Sequence, residues 1–160
     1  MSGQHNTGAT YAISLSGSTS ITAGTGVTLE SLNDNTGTIA LLSSGGIDGG
    51  SGTVLMRAAN YAFGGADRTI TTTGVLTIEP DADENSFASS FDNQYLNPVS
   101  VTGLTLGKNG NNSNIILQRA ININGPITVY AGSIHQYSNI VSSSSSGSVI
   151  LSGPLVLEAD

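Results

Sequence analysis

Short apolar runs alternate with polar residues, are cut at Gly, Asn and Ser, and return every two to three dozen positions. This pattern constrains the chain more than any other feature. Ile123-Asn124-Gly125-Pro126-Ile127-Thr128-Val129-Tyr130-Ala131 matches Leu151-Ser152-Gly153-Pro154-Leu155-Val156-Leu157-Glu158-Ala159 at a shift of 28 residues. Looser copies begin at Thr73-Gly74-Val75 and Thr102-Gly103-Leu104, so the glycines fall at 74, 103, 125 and 153. A second motif recurs as Val54-Leu55-Met56-Arg57-Ala58 and Ile116-Leu117-Gln118-Arg119-Ala120. Within the runs, Ile13/Leu15, Val27/Leu29, Leu76/Ile78, Leu104/Leu106, Ile121/Ile123 and Ile127/Val129 alternate with polar neighbours. Such alternation marks a strand with one buried face.

A period of about 20–30 residues made of short strands is one coil of a β-solenoid. Each coil turns at Gly, Asn or Ser and stacks its strands, in parallel, on those of the next. Gly tolerates close backbone approach at a corner, and Pro fixes φ where a strand begins. The expected fold is therefore all-β: a parallel β-helix of about five or six coils, one segment spanning 1–160. The interior columns are expected to hold Ile13, Leu15, Val27, Leu29, Ile39, Leu41, Val54, Ile70, Leu76, Ile78, Leu104, Leu106, Ile116, Ile121, Ile123, Ile127, Val129, Ile140, Val149, Leu155 and Leu157. Two stretches, near 60–68 and 79–97, hold most of the aromatics (Tyr61, Phe63, Phe87, Phe91, Tyr95) and read as insertions. The alternative that short alternating strands leave open is an antiparallel β-sandwich.

Ser, Gly, Thr and Asn make up 75 of the 160 residues, which by itself suits a disordered chain. Regularly spaced apolar residues, 38% of the chain, argue against that. There is no Cys, hence no disulfide and no thiolate metal site. A net charge of −7 with four basic residues argues against nucleic-acid binding and against docking on anionic lipid. No run approaches a membrane span. The first residues lack a secretory signal, and both ends are expected to be cuts in a longer protein.

The segment Asn114-Ile-Ile-Leu-Gln-Arg-Ala-Ile-Asn-Ile-Asn-Gly-Pro-Ile-Thr-Val-Tyr-Ala-Gly-Ser133, with a weaker copy at Gly37–Ile47, resembles the strand repeats of filamentous-haemagglutinin-like adhesins and of large Bacteroidota-type surface proteins. The resemblance covers about three quarters of the chain. It implies a right-handed parallel β-helix in an extracellular, cell-surface stalk, and it carries over no catalytic residue.

Asp81-Ala-Asp83-Glu-Asn85-Ser-Phe-Ala-Ser-Ser-Phe-Asp92 places Asp81, Asp83, Asn85 and Asp92 at positions 1, 3, 5 and 12 of a calcium-loop pattern. Calcium needs about six to eight oxygens, which carboxylates on a curled loop can supply. Ser86 stands where such loops have Gly, and Asp92 is shorter than the usual Glu. A solvated acidic loop is the plainer reading. Glu30, Asp34, Asp48 and Asp67 are scattered at corners, whereas polysaccharide cleavage needs two carboxylates facing across a groove. Lys108 lies in a turn, Lys108-Asn-Gly-Asn-Asn112. His5 falls in a tail and His135 on a strand, with no second His beside either. Arg57 and Arg119 read as outward residues, with Glu30, Glu79 or Glu158 as ion-pair candidates for them. Thr71-Thr72-Thr73, Thr36-Gly-Thr38 and Ser18-Thr-Ser20 raise ice binding, which needs Thr-x-Thr on every coil. Val99-Ser-Val101 and Asn122-Ile-Asn124 break that pattern. Asn111-Asn112-Ser113 is a formal glycosylation acceptor and reads more simply as a turn.

The functional expectation is a non-catalytic structural stalk or adhesin segment outside the cell. A glycan-binding module, with Tyr130 and Tyr137 as candidate contacts, is the runner-up. A filament subunit stacking end to end on copies of itself is a variant.

Overall fold

The computed structural model describes residues 13–17, 19–31, 36–42, 46–64 and 68–158; Ser18, His5, Asp34 and Asp67 lie outside these. Among the described residues there are nineteen strands and no helix, hence none long and apolar enough to cross a membrane. The strands follow one another in threes. The first turn holds β1 (Ile13–Leu15), β2 (Ile21–Thr22) and β3 (Gly26–Glu30). The second holds β4 (Thr38–Leu41), β5 (Ile47–Asp48) and β6 (Thr53–Arg57), and the third β7 (Asn60–Phe63), β8 (Arg68–Thr71) and β9 (Val75–Glu79). The fourth holds β10 (Phe91–Asp92), β11 (Leu96–Val99) and β12 (Gly103–Leu106). The fifth holds β13 (Asn114–Leu117), β14 (Ile121–Ile123) and β15 (Ile127–Tyr130). The sixth holds β16 (Ser133–Gln136), β17 (Ile140–Ser142) and β18 (Val149–Ser152), after which β19 (Leu155–Leu157) opens another turn.

Every strand pairing is parallel and joins like positions of successive turns. The chain is a right-handed parallel β-helix of about six turns, and the antiparallel sandwich is excluded. One face is an unbroken six-stranded sheet, β3-β6-β9-β12-β15-β18. The other two faces are each interrupted once. The first divides into β1-β4-β7 and β10-β13-β16-β19, the second into β2-β5-β8-β11 and β14-β17.

The unbroken sheet shows why these residues fold this way. Its inward positions form two columns: Val27, Val54, Leu76, Leu104, Ile127, Val149, and Leu29, Met56, Ile78, Leu106, Val129, Leu151. From Val54 to Val129 the members of these columns are almost completely buried. Each fully buried aliphatic chain contributes roughly 1.5–3 kcal/mol of transfer free energy. Val149 belongs to a column but is 42% exposed, because no further turn covers it among the described residues. Leu155 and Leu157, also expected inside, are exposed for the same reason. Ile116 was expected inside too. Instead Ile115 and Leu117 are buried, with Ile116 half-exposed between them. In Asn-Ile-Ile-Leu the alternation can be read in either phase, and a shift of one residue exchanges the faces.

Corners are held by close backbone stacking. Thr25, Gly52, Gly74, Thr102, Gly125 and Gly147 lie in one register column just before the unbroken sheet. A Cβ on Gly125 would lie 1.8 Å from the Thr102 carbonyl oxygen, so only Gly fits there. Gly153 is not in this column. Its backbone stacks on Ala131, at the corner that precedes β19. The two Gly-Pro segments therefore sit at different corners, and the 28-residue match is not the coil register. Ile127 pairs with Val149 and Ile134 with Leu155, shifts of 22 and 21. Asn60–Phe63, expected within an insertion, is instead the regular strand β7 paired along its length with β4.

Candidate functional site

The expected calcium loop is laid along the solenoid. Lys108 Nζ donates to the carbonyls of Asp81 and Ala82 at 2.9 and 3.1 Å. Asn112 N donates to Ser86 Oγ at 2.9 Å, and Ser113 Oγ donates to the Phe87 carbonyl. Residues 81–87 thus stack on 108–113 of the next turn, with a tight turn at the start of the segment where Glu84 N donates to the Asp81 carbonyl at 3.1 Å. Asp81 is buried, with Oδ1 accepting the Ala82 N–H, while Asp83 and Asn85 are exposed. Asp92 stands on the outer side of β10. Among the described residues no three His, Asp or Glu side chains gather into a group that could hold a metal.

The other charged residues work between turns. Glu30, Arg57 and Glu79 form one outward column of the unbroken sheet. The Arg57 guanidinium donates to Glu79 Oε1 and lies 3.5 Å from Glu30 Oε1. The hydrogen bond to Glu79 is the main reason that its affinity for a proton rises above the ordinary value. His135 Nδ1 lies 2.8 Å from Glu158 Oε1. Arg119 is not equivalent to Arg57. It follows β13, where its backbone N–H and C=O are both engaged by the buried side chain of Asn93 at 2.9 Å. Arg68 is fully buried, with Nε donating to the Leu41 carbonyl at 2.7 Å and Nη2 to that of Gly64. The glycosylation acceptor Asn111 is 4% exposed and donates to the Tyr130 carbonyl, a structural turn residue. Thr28, Thr77, Thr105 and Thr128 share an outward column with Leu55 and Ile150. This is one row of threonines, not the paired rows of a Thr-x-Thr array.

A concave site lies on the first face at the break between β7 and β10. Tyr61 and Phe63 continue the inward column of Ile39 and Leu41 and meet Phe87 and Phe91 inside. Tyr61 contacts Phe87 and Phe91 edge to face at 5.7 and 5.6 Å, and Phe87 stacks on Phe91 at 5.5 Å. These rings fill the wider interior where the ladder is interrupted. The Tyr61 hydroxyl lies 2.8 Å from the carbonyl oxygens of Met56 and Glu79, which share its proton. Burial, reinforced by the Glu79 charge, pushes its ionisation well above the ordinary phenol range.

Beside the rings lies a shallow pocket of about 150 Å³ lined by Tyr61, Ala62, Phe63, Ser90, Asp92, Gln94 and Tyr95. Its far wall is fixed by the Arg68 N–H, which donates to the Tyr95 carbonyl at 2.6 Å. Asp92 Oδ1 accepts the Gln94 N–H at 2.8 Å. Partial burial raises the Asp92 carboxyl above its ordinary value, opposed by that hydrogen bond. The sequence signalled this place through its aromatics and through Asp92, which it read as part of a calcium loop. Ser90 and Gln94 carry no motif, and it is the broken ladder that brings them beside β7. Comparison with protein-family models, curated proteins and solved structures finds no match.

Proposed function

We propose that this chain is a non-catalytic structural segment, a stiff spacer of adhesin type in a secreted or cell-surface protein. One observation carries the reading: a parallel ladder of six strands without a break, backed by two continuous aliphatic columns. The inter-strand hydrogen bonds run along the stacking axis, so axial force passes from turn to turn through each interface in series, and each turn shields its neighbour's backbone. The charged residues support it, since those with ion-pair or carbonyl partners tie turn to turn, as Arg57 and Lys108 do. The neutral Ser/Thr/Asn exterior suits a hydrated surface, and the reading agrees with the resemblance to adhesin strand repeats.

The test is single-molecule pulling on the chain tethered at its two ends. A turn spans from 19 residues (Ile115 to Ile134) to 28 (Leu76 to Leu104). Stretching one turn should therefore release roughly 65–100 Å, in discrete force peaks. Extension without resolvable peaks removes the mechanical role.

A further inference from the structure

From the break between β7 and β10 we infer that the pocket there is a subsite for one ring of a neutral saccharide. In a parallel pair, alternate residues point their N–H and C=O to opposite neighbours. Asn60 N donates to the Gly37 carbonyl and Gly64 N to that of Leu41, so even-numbered residues of β7 face β4. Odd-numbered residues face the other way. Ala59, of that set, has its carbonyl taken by Ala88 N at 2.8 Å. Ser89 Oγ still donates to Asn60 Oδ1 at 2.9 Å, and past it no ladder joins β7 to β10. β7 is the last strand of its sheet, so Tyr61 and Phe63 turn their main-chain donors and acceptors toward a place with no ladder partner.

Those are the residues that line the pocket together with Ser90, Asp92 and Gln94. The lining thus offers N–H donors, carbonyl acceptors, a carboxyl, an amide and a hydroxyl within one small volume. A complementary ligand must present several groups that both donate and accept, which describes adjacent hydroxyls on a ring. Tyr95, half-buried at the rim, supplies an apolar face for the ring's C–H groups. A volume of about 150 Å³ is on the scale of one pyranose ring. Among the described residues no Lys or Arg lines the pocket, which disfavours acidic sugars. This inference goes beyond the spacer reading and does not depend on it.

The experiment is amide-resolved NMR of the isotope-labelled chain, titrated separately with the methyl pyranosides of glucose, galactose, mannose and N-acetylglucosamine. Tetramethylammonium serves as the competing class, since an aromatic pocket with a carboxylate also suits an organic cation. The expected result is saturable shifts of the Tyr61 and Phe63 amides by at least one pyranoside, with a dissociation constant in the millimolar range. Gln94→Ala, at an exposed position, should weaken it about three- to ten-fold while the rest of the spectrum is unchanged. Tyr95→Ala should do the same. The inference is overturned if no pyranoside moves those amides, if Gln94→Ala leaves the affinity unchanged, or if only tetramethylammonium binds. A pulling failure with intact sugar binding sinks the spacer alone, and the converse sinks the subsite alone.

Discussion

Arg57 and Asp92 carry the two electrostatic consequences that can be isolated residue by residue. Arg57 separates two carboxylates stacked one turn above and one turn below it. Arg57→Met leaves Glu30 and Glu79 facing each other at about two strand spacings. It should cost up to about 1 kcal/mol in urea denaturation at low salt and less at high salt. Adding Glu79→Gln to Arg57→Met should recover part of that loss. Asp92 has the opposite sign. Its folded carboxyl is harder to ionise than in the unfolded chain, so the fold is penalised as pH rises from the ordinary value of 3.8 through the raised one. Asp92→Asn keeps an acceptor for the Gln94 N–H and removes the charge. It should melt higher than the parent at neutral pH, and the two melting curves should converge below the ordinary carboxyl value. The sequence placed Glu30 and Glu79 among the candidate partners of Arg57. It did not show that both partner it at once, because that depends on which turns are neighbours.

The strands owe part of their stacking to corner positions, Gly125 among them, that admit no side chain. Gly125→Ala would set a methyl 1.8 Å from a backbone oxygen, which only movement of a whole corner can relieve. It should lower stability by about 2–3 kcal/mol. Gly24→Ala is the matched control. Nothing lies within 4 Å of its added Cβ, so thermal melting should show no loss and even a small gain from the stiffer unfolded chain. At this scale most strands were legible, since alternation such as Val-Leu-Thr-Ile-Glu admits one phase. Exceptions have physical causes. Asn114-Ile-Ile-Leu117 fits two phases, and Asn60–Phe63 is rich in aromatics that fill a widened interior instead of a regular column. Arg68 could not be foreseen as buried, because its partners are main-chain carbonyls of Leu41 and Gly64, which no sequence pattern marks.

Taken whole, the molecule is a stack in which each turn is stabilised by the turns on either side. Protection should therefore be graded along the axis. Amide hydrogen exchange is expected to be slowest in β9 and β12, flanked on both sides within the unbroken sheet. It should be fastest in β17 to β19, where Leu157 is 73% exposed. Uniform exchange along the chain would mean that the turns unfold as one cooperative unit. Parallel pairing over 19 to 28 residues also makes nearly every contact non-local, so refolding should be slow for a chain of this size.

Local chemistry alone determined that this chain is all-β, that it coils, and which side of most strands is apolar, because alternation and corner residues act within a few positions. Tertiary structure decided the register. Gly-Pro serves equally well at any of the three corners, so Gly125-Pro126 and Gly153-Pro154 look like one repeat although they precede different faces. The candidate site was decided there as well. A pocket made by interrupting a ladder is defined by the pairing that fails to form, and that depends on how residues 80–90 stack between their neighbouring turns.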